Sequence, residues 1–263
     1  MGEFDGKVGI VTGGASLIGE AIAERLSDDG AAIMLADQNE TNGAAAADRL
    51  GDRVRFLKTD VTDDAQLDRL VETTVADLGR IDILVSAAAV FVDERFESSR
   101  TLWHKALDVN VVSAAVLTGK VVPHLGSGSS VVYVASVSGS VSQPNRIVYN
   151  VTKAALLMLA KTGAQELAPK GIRVNAVSPG WTWSRNIERR YGSRERADAF
   201  AAEFQPLGRM ADPEEIADAV RFIVSNRAAF ITGTELAVDG GYGALGPEAL
   251  GQPYEKIAIL PDH

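Results

Sequence analysis

The chain has no cysteine among its 263 residues. That excludes disulfides, thiolate nucleophiles and cysteine-ligated metal. Its three histidines, His104, His124 and His263, are too scattered for metal-ligand spacing, so no metal site is expected and all three belong at the surface or at helix ends. The Gly-x-Ser-x-Gly elbow of a serine hydrolase is also missing. Positive charge is scarce: 26 Lys and Arg against 35 Asp and Glu leave a net charge of −9. Nucleic acid, whose phosphate backbone calls for clustered cations, is therefore not an expected partner, and neither is a membrane surface. No apolar stretch approaches the ~20 residues of a spanning helix. The opening "MGEFDGK" lacks the basic and apolar regions of a signal peptide, so a cytoplasmic location is expected.

What the chain does have is alternation. The runs "KVGIVT", "AAIMLA", "VRFLKT", "IDILVSAAAV", "SVVYVAS", "IRVNAVS" and "TELAVD" recur with helical segments between them. Near-continuous apolar strands suit a parallel sheet covered on both faces. Between the first two runs, Ile18, Ile22 and Leu26 recur every four residues and give that helix one stripe to lay on the sheet. With 46% hydrophobic residues and neither repeat nor linker, the expectation is an α/β fold: one domain over 1–263, a doubly wound, seven-stranded parallel sheet.

Two segments break the rhythm. Residues 184–211 are long and charged and follow the sixth strand, where such folds place their ligand crevice, so they are read as a substrate-covering loop. The tail at 242–263 has no strand pattern and is expected to wrap over a surface. "GYGALG" at 241–246 matches Gly-x-Gly-x-x-Gly, but too few residues remain after it for the helix and strand of a nucleotide-binding unit.

A better phosphate cradle is "TGGASLIG" at 12–19, between the first strand and the first helix. A second constellation lies in "YNVTKAALLMLA", where Tyr149 and Lys153 are four apart and share a helix face. A phenol titrates near pH ~10, and a nearby ammonium favours the phenolate. Lowering it by ~3 units takes roughly 4 kcal/mol, which one lysine and a cationic nicotinamide ring together would largely supply. Ser136 ends the fifth strand, with its hydroxyl facing the crevice. Asn110 sits in "LDVNVV" inside a helix, where a buried amide needs a polar task.

Taken in order, "TGGASLIG", "DVN", "VAS", "YNVTK", "VNAVSPG" and "ITGTELAVDGG" resemble the short-chain dehydrogenase/reductase family along essentially the whole chain. The resemblance implies a Rossmann-type sheet and a secondary alcohol or ketone as substrate. It also implies roles. Tyr149 is the general acid/base, Lys153 lowers its pKa and holds the nicotinamide ribose, Ser136 binds the substrate oxygen, and Asn110 anchors a water linking Lys153 to solvent. Gly13, Ser16, Leu17, Ile18 and Gly19 would hold the pyrophosphate. Asp37 and Gln38 would lie at the adenosine ribose, Asp60 and Val61 at the adenine, and Ala87 and Ala88 beside the adenosine. Pro179, Gly180 and Thr182 would shape the nicotinamide pocket. Asp37 accepts hydrogen bonds from ribose hydroxyls and repels a 2′-phosphate, so NAD is expected over NADP.

The chain departs from the family pattern at Leu17, where a glycine is usual, and at "SAAA" over 86–89, where "NNAG" is usual. The helix N-terminal amides that bind pyrophosphate remain, so the loop is read as working. Two alternatives stay open: an enoyl reductase of the same fold, whose members space Tyr and Lys more widely, and a non-catalytic NAD-binding or sensing protein.

Trp181 and Trp183, directly after "SPG", suit a bulky or aryl substrate, with Phe91 as a third wall and Ser138 as a second hydroxyl. Trp103 is read as core. Arg185, Arg189, Arg190, Arg194 and Arg196 are read either as partners in surface ion pairs or as contacts to an anionic substrate tail. The helix carrying Tyr149 is apolar nearly all round, and relatives pair this helix and the one before it across a dyad, which implies a homotetramer.

Overall fold

The computed structural model describes residues 2–92 and 95–246. The seven branched runs become β1 Val8–Thr12, β2 Ala32–Asp37, β3 Val54–Lys58, β4 Ile83–Ser86, β5 Ser130–Val134, β6 Arg173–Pro179 and β7 Glu235–Val238. All pair in parallel, in the order β3-β2-β1-β4-β5-β6-β7.

The helices are α1 Leu17–Asp28, α2 Glu40–Leu50, α3 Asp64–Leu78, α4 Arg100–Leu107, α5 Ser113–Val121, α6 Ile147–Leu167, α7 Arg185–Tyr191, α8 Arg194–Ala201 and α9 Pro213–Val224. Successive strand residues point to opposite faces. Val11, Leu35, Val85 and Val132 form one core with α1 and α9, while Ile10, Met34, Leu84 and Val131 form the other with α3, α5 and α6. Ile22 and Leu26 of the α1 stripe are fully buried and Ile18 is partly so. Chain order reverses between β1 and β4, which opens a crevice beyond the carboxyl ends of the strands.

Several expectations need correction. The fourth run is strand only over Ile83–Ser86, because beyond it the amides of Ala87 and Ala88 donate to Thr12 Oγ1 and that of Val90 to Asn110 Oδ1. Residues 184–211 are not a plain loop. Ser184 and Ser193 cap α7 and α8, which fold around buried Ala197, Ala201 and Met210. A helical stretch does reach membrane-spanning length: a π-helical turn at Asp108–Val112 joins α4 to α5, and Arg100–His124 is 25 residues long and apolar enough in composition to cross a bilayer. Its Ala114, Leu117 and Val121 are buried in the second core. Trp103 is only partly buried, and His104 and His124 are exposed. His263 and the tail beyond 246 lie outside the described residues.

Candidate active site

The glycine-rich loop leaves β1 at Gly13, whose φ of 71° is left-handed and whose Cβ, if present, would stand 2.8 Å from the Ala87 carbonyl. Only glycine fits there. Ser16 caps α1, accepting from the Gly19 amide at 3.1 Å and donating to the Gly13 carbonyl at 2.7 Å. Leu17 and Ile18 open the helix, and their amides find no acceptor among the described residues. Leu17 is not among the residues of positive φ, so its place does not demand glycine's backbone freedom. An unsatisfied helix N-terminus is the donor set an anionic pyrophosphate requires.

Asp37, at the end of β2, accepts from the Ala15 amide at 3.0 Å and from the Asn39 amide at 2.8 Å. No cation pairs with it among the described residues, and Gln38 beside it is exposed. Beyond β3, Thr62 holds the Asp60 carboxylate at 2.9 and 2.8 Å, and Val61 packs on the second core. Ala87 and Ala88 lie against Gly13 across the crevice, and Ala89 is exposed. At the end of β6, Pro179 is buried, and Thr182 donates to the Gly180 carbonyl and pairs with Ala211. These residues, spread over 170 positions of sequence, fit a dinucleotide: free amides for the pyrophosphate and a carboxylate for ribose hydroxyls.

Past β5, Ser136 is 8% exposed and hydrogen-bonds the Tyr149 hydroxyl. The turn at Val137–Gly139 lies hard on α6, where a Cβ at Gly139 would meet the Lys153 carbonyl at 2.8 Å, and this contact brings the two groups together. Burial raises the Tyr149 pKa, and the Ser136 hydrogen bond and the Arg146 charge pull it back. The Lys153 Nζ lies 5.5 Å from the Tyr149 ring centroid and donates to the Val134 carbonyl at 2.8 Å, and burial depresses its pKa to about 8.

Asn110 projects from the π-helical turn and is 1% exposed. Its side chain exchanges two hydrogen bonds with Val90 and donates a third to Thr152, beside Lys153. These three hydrogen bonds tie the Asn110 side chain to the loop after β4 and to α6. Ser138 is corrected: its hydroxyl is spent on Gln143 Oε1 at 2.6 Å and is not offered to a substrate.

A cleft of about 620 Å³ opens above Tyr149, walled by Phe91, Trp181, Phe200, Phe204 and Tyr242. Trp181 meets Phe200 and Phe204 at centroid distances of 5.2 and 5.6 Å, and Phe91 meets Tyr149 at 5.2 Å. Trp183 does not line it. Backbone pairing with Ala211 turns its indole into the small core under α7 and α8, beneath the Arg194 guanidinium. Of the loop arginines, Arg194 pairs with Asp198 and Asp212, Arg189 bonds Asn186, and Arg185 donates to the Ala15 carbonyl at 2.9 Å. Arg196 is exposed, and Arg190 lines the cleft. Sequence reading missed Phe200, Phe204, Tyr242 and Arg146. The available signal was the aromatic content of 191–204 and a cation three residues before Tyr149.

A family model described as enoyl-(acyl carrier protein) reductase matches residues 13–243. Cis-4-hydroxycyclohexanecarboxylate dehydrogenase of Sinomonas cyclohexanicum is 35% identical over 252 residues, covering 93% of this chain and 100% of that protein. Cyclopentanol dehydrogenase of Comamonas testosteroni is 34% identical over 250 residues, covering 93% and 100%. A solved Brucella melitensis structure, titled short-chain dehydrogenase/reductase SDR:glucose/ribitol dehydrogenase, superposes with a TM-score of 0.86 at 31% identity, covering 92% of this chain and 98% of that one. Fold, ordered motifs and full-length relatives agree: the chain is an oxidoreductase of the short-chain dehydrogenase/reductase family.

Proposed function

We propose that the chain is an NAD-dependent dehydrogenase that interconverts a secondary alcohol and its ketone where the reacting carbon belongs to, or adjoins, a ring or another bulky apolar group. The observation that carries this reading is the Ser136 to Tyr149 hydrogen bond at the floor of an aromatic cleft. The names of the two cyclic-alcohol relatives support it. Gly13, Ser16, Leu17, Ile18 and Gly19 would hold the pyrophosphate, Asp37 the adenosine ribose, and Pro179, Gly180 and Thr182 the carboxamide end. When bound, the nicotinamide supplies or accepts the hydride.

The chain's own residues move the proton. Ser136 donates to the substrate oxygen and fixes it beside the Tyr149 hydroxyl. In the alcohol-to-ketone direction the phenolate of Tyr149 takes the hydroxyl proton, and in the reverse direction the phenol gives it back. Lys153 stands one helical turn away with a pKa near the working range and serves as the onward proton store. The Asn110 side chain holds the loop after β4 to α6.

The family model's description favours a second reading, an enoyl reductase. The four-residue spacing of Tyr149 and Lys153 and the names of the relatives favour the alcohol. One assay separates these from a non-catalytic binder: purified chain is offered NAD with cyclic secondary alcohols, and separately reduced cofactor with an enoyl thioester, while reduced-nicotinamide absorbance is followed. Turnover of the alcohols is expected. Activity on the enoyl thioester alone, or cofactor binding with no turnover of either, overturns the proposal.

A further inference from the structure

The aromatic cleft contains an arginine that the proposed proton chemistry does not use. Arg146 immediately precedes α6, in the turn after Asn145, whose φ of 60° swings the chain toward the cleft. Its guanidinium carbon lies 4.6 Å from the Trp181 ring centroid and 5.3 Å from that of Phe91. Nη1 donates to Gln143 Oε1 at 2.8 Å, and Gln143 is itself 5% exposed and tied down by Ser138. The head group is thus fixed by two ring faces and one hydrogen bond, three residues ahead of Tyr149.

No carboxylate pairs with Arg146 among the described residues, and no Asp or Glu is among those lining the cleft. One of its five N–H donors is used within the protein. Arg190 faces the same cleft and repels it. Two guanidinium groups with no facing carboxylate among the described residues, on a chain of net charge −9, form a local reversal of sign. Half-burying a cation against aromatic faces costs desolvation, and a ligand anion offsets that cost where the described residues supply none.

We infer that the cleft takes a substrate bearing a carboxylate: a ring-borne hydroxy acid or keto acid whose carboxylate meets Arg146, assisted by Arg190, while its oxygen meets Ser136 and Tyr149. This rests on the alcohol dehydrogenase reading above and narrows it. The guanidinium fork matches a carboxylate bidentately, and the flanking rings pack on the faces of the ring between the two polar ends. Ser138 acquires a task in this arrangement, as a positioning residue that orients Gln143 and through it Arg146.

The test compares 4-hydroxycyclohexanecarboxylate with its carboxamide, so that charge changes while size and the reacting carbinol stay fixed. Wild type is expected to favour the acid by about tenfold or more in kcat/KM, the worth of a charge-assisted hydrogen-bonded pair. In Arg146→Gln the ratio of acid to amide should fall toward one. Arg146→Lys should keep part of the preference, and Arg190→Gln should lose less than Arg146→Gln. Because each ratio is taken within one protein, a general loss of folded enzyme does not imitate the result. Equal kcat/KM for acid and amide in wild type overturns the carboxylate site while leaving the dehydrogenase reading intact. If neither alcohol turns over, calorimetric binding of unreactive cyclohexanecarboxylate to wild type and Arg146→Gln still decides. Binding weakened by the substitution supports the site, and absent or unaltered binding overturns it.

Discussion

The Lys153 ammonium nitrogen lies 5.5 Å from the centroid of the Tyr149 ring, and its hydrogen bond goes to the Val134 carbonyl at 2.8 Å. The pair stands face to charge, and with burial raising the Tyr149 pKa the phenol is protonated at neutral pH in the free chain. Alcohol oxidation, which needs the phenolate, should therefore accelerate as pH rises above neutrality, while ketone reduction, which needs the phenol, should not. Rate profiles in both directions with single-turnover controls check this. A flat oxidation profile where hydride transfer limits the rate would remove Tyr149 from the base role.

Tyr149→Phe removes only the proton-transfer group. Turnover should fall by about 10²-fold to 10⁴-fold or more, while the thermal midpoint and NAD affinity stay close to wild type. Substantial residual activity would move acid/base duty elsewhere.

Lys153 also gives a stability prediction. Burial takes its pKa from 10.5 to about 8, so the unfolded chain binds more protons than the folded one between those values, and stability rises with pH across that window. Below it the folded state carries the full cost, roughly 3 kcal/mol before the Val134 hydrogen bond offsets part of it. Lys153→Met should be inactive yet melt higher than wild type at pH 7, with the margin closing toward pH 10. A lower melting point at pH 7 would show that the buried ammonium is a net stabiliser.

Asp37 predicts the cofactor. NAD should bind well and NADP poorly, and Asp37→Ala should narrow the gap, as read by fluorescence titration of both. Equal affinities in wild type would remove the carboxylate from the ribose site.

Val151 and Met158 on α6 are 46% and 60% exposed, and Val112 in the neighbouring π-helical turn is 47% exposed. Apolar side chains left outside on paired helices fit a subunit contact, and four chains per particle are expected by light scattering at micromolar concentration. Val151→Asp with Met158→Asp should lower that mass. A monomeric wild type would refute the assembly.

The sheet was legible because parallel strands buried on both faces leave unbroken branched runs, and all seven appeared. The Tyr149 and Lys153 helix was legible from one spacing, and Ser136 from its place at a strand end. Arg146, Phe200, Phe204 and Tyr242 were not, because their meeting depends on how residues 184–211 fold back, and that turns on two serine caps and a single bridge between Thr182 and Ala211. Trp183 was misplaced for the same reason: its amide donates to the Ala211 carbonyl and its indole lies beneath the Arg194 guanidinium, against the small core under α7 and α8. Helical spacing gives proximity of Tyr149 to Lys153 but not the direction in which an ammonium points, so the hydrogen bond of Lys153 to the Val134 carbonyl was not legible.

The Ala15 peptide is gripped from both sides, its N–H by Asp37 at 3.0 Å and its carbonyl by Arg185 at 2.9 Å. A protein engineer who replaces Asp37 to admit a phosphorylated ribose therefore cuts one of the two hydrogen bonds on Ala15, and the survivor leads to α7, beside the aromatic cleft. Cofactor preference and substrate preference share a hinge pin, so exchanging the first without retuning Arg185 should disturb the second.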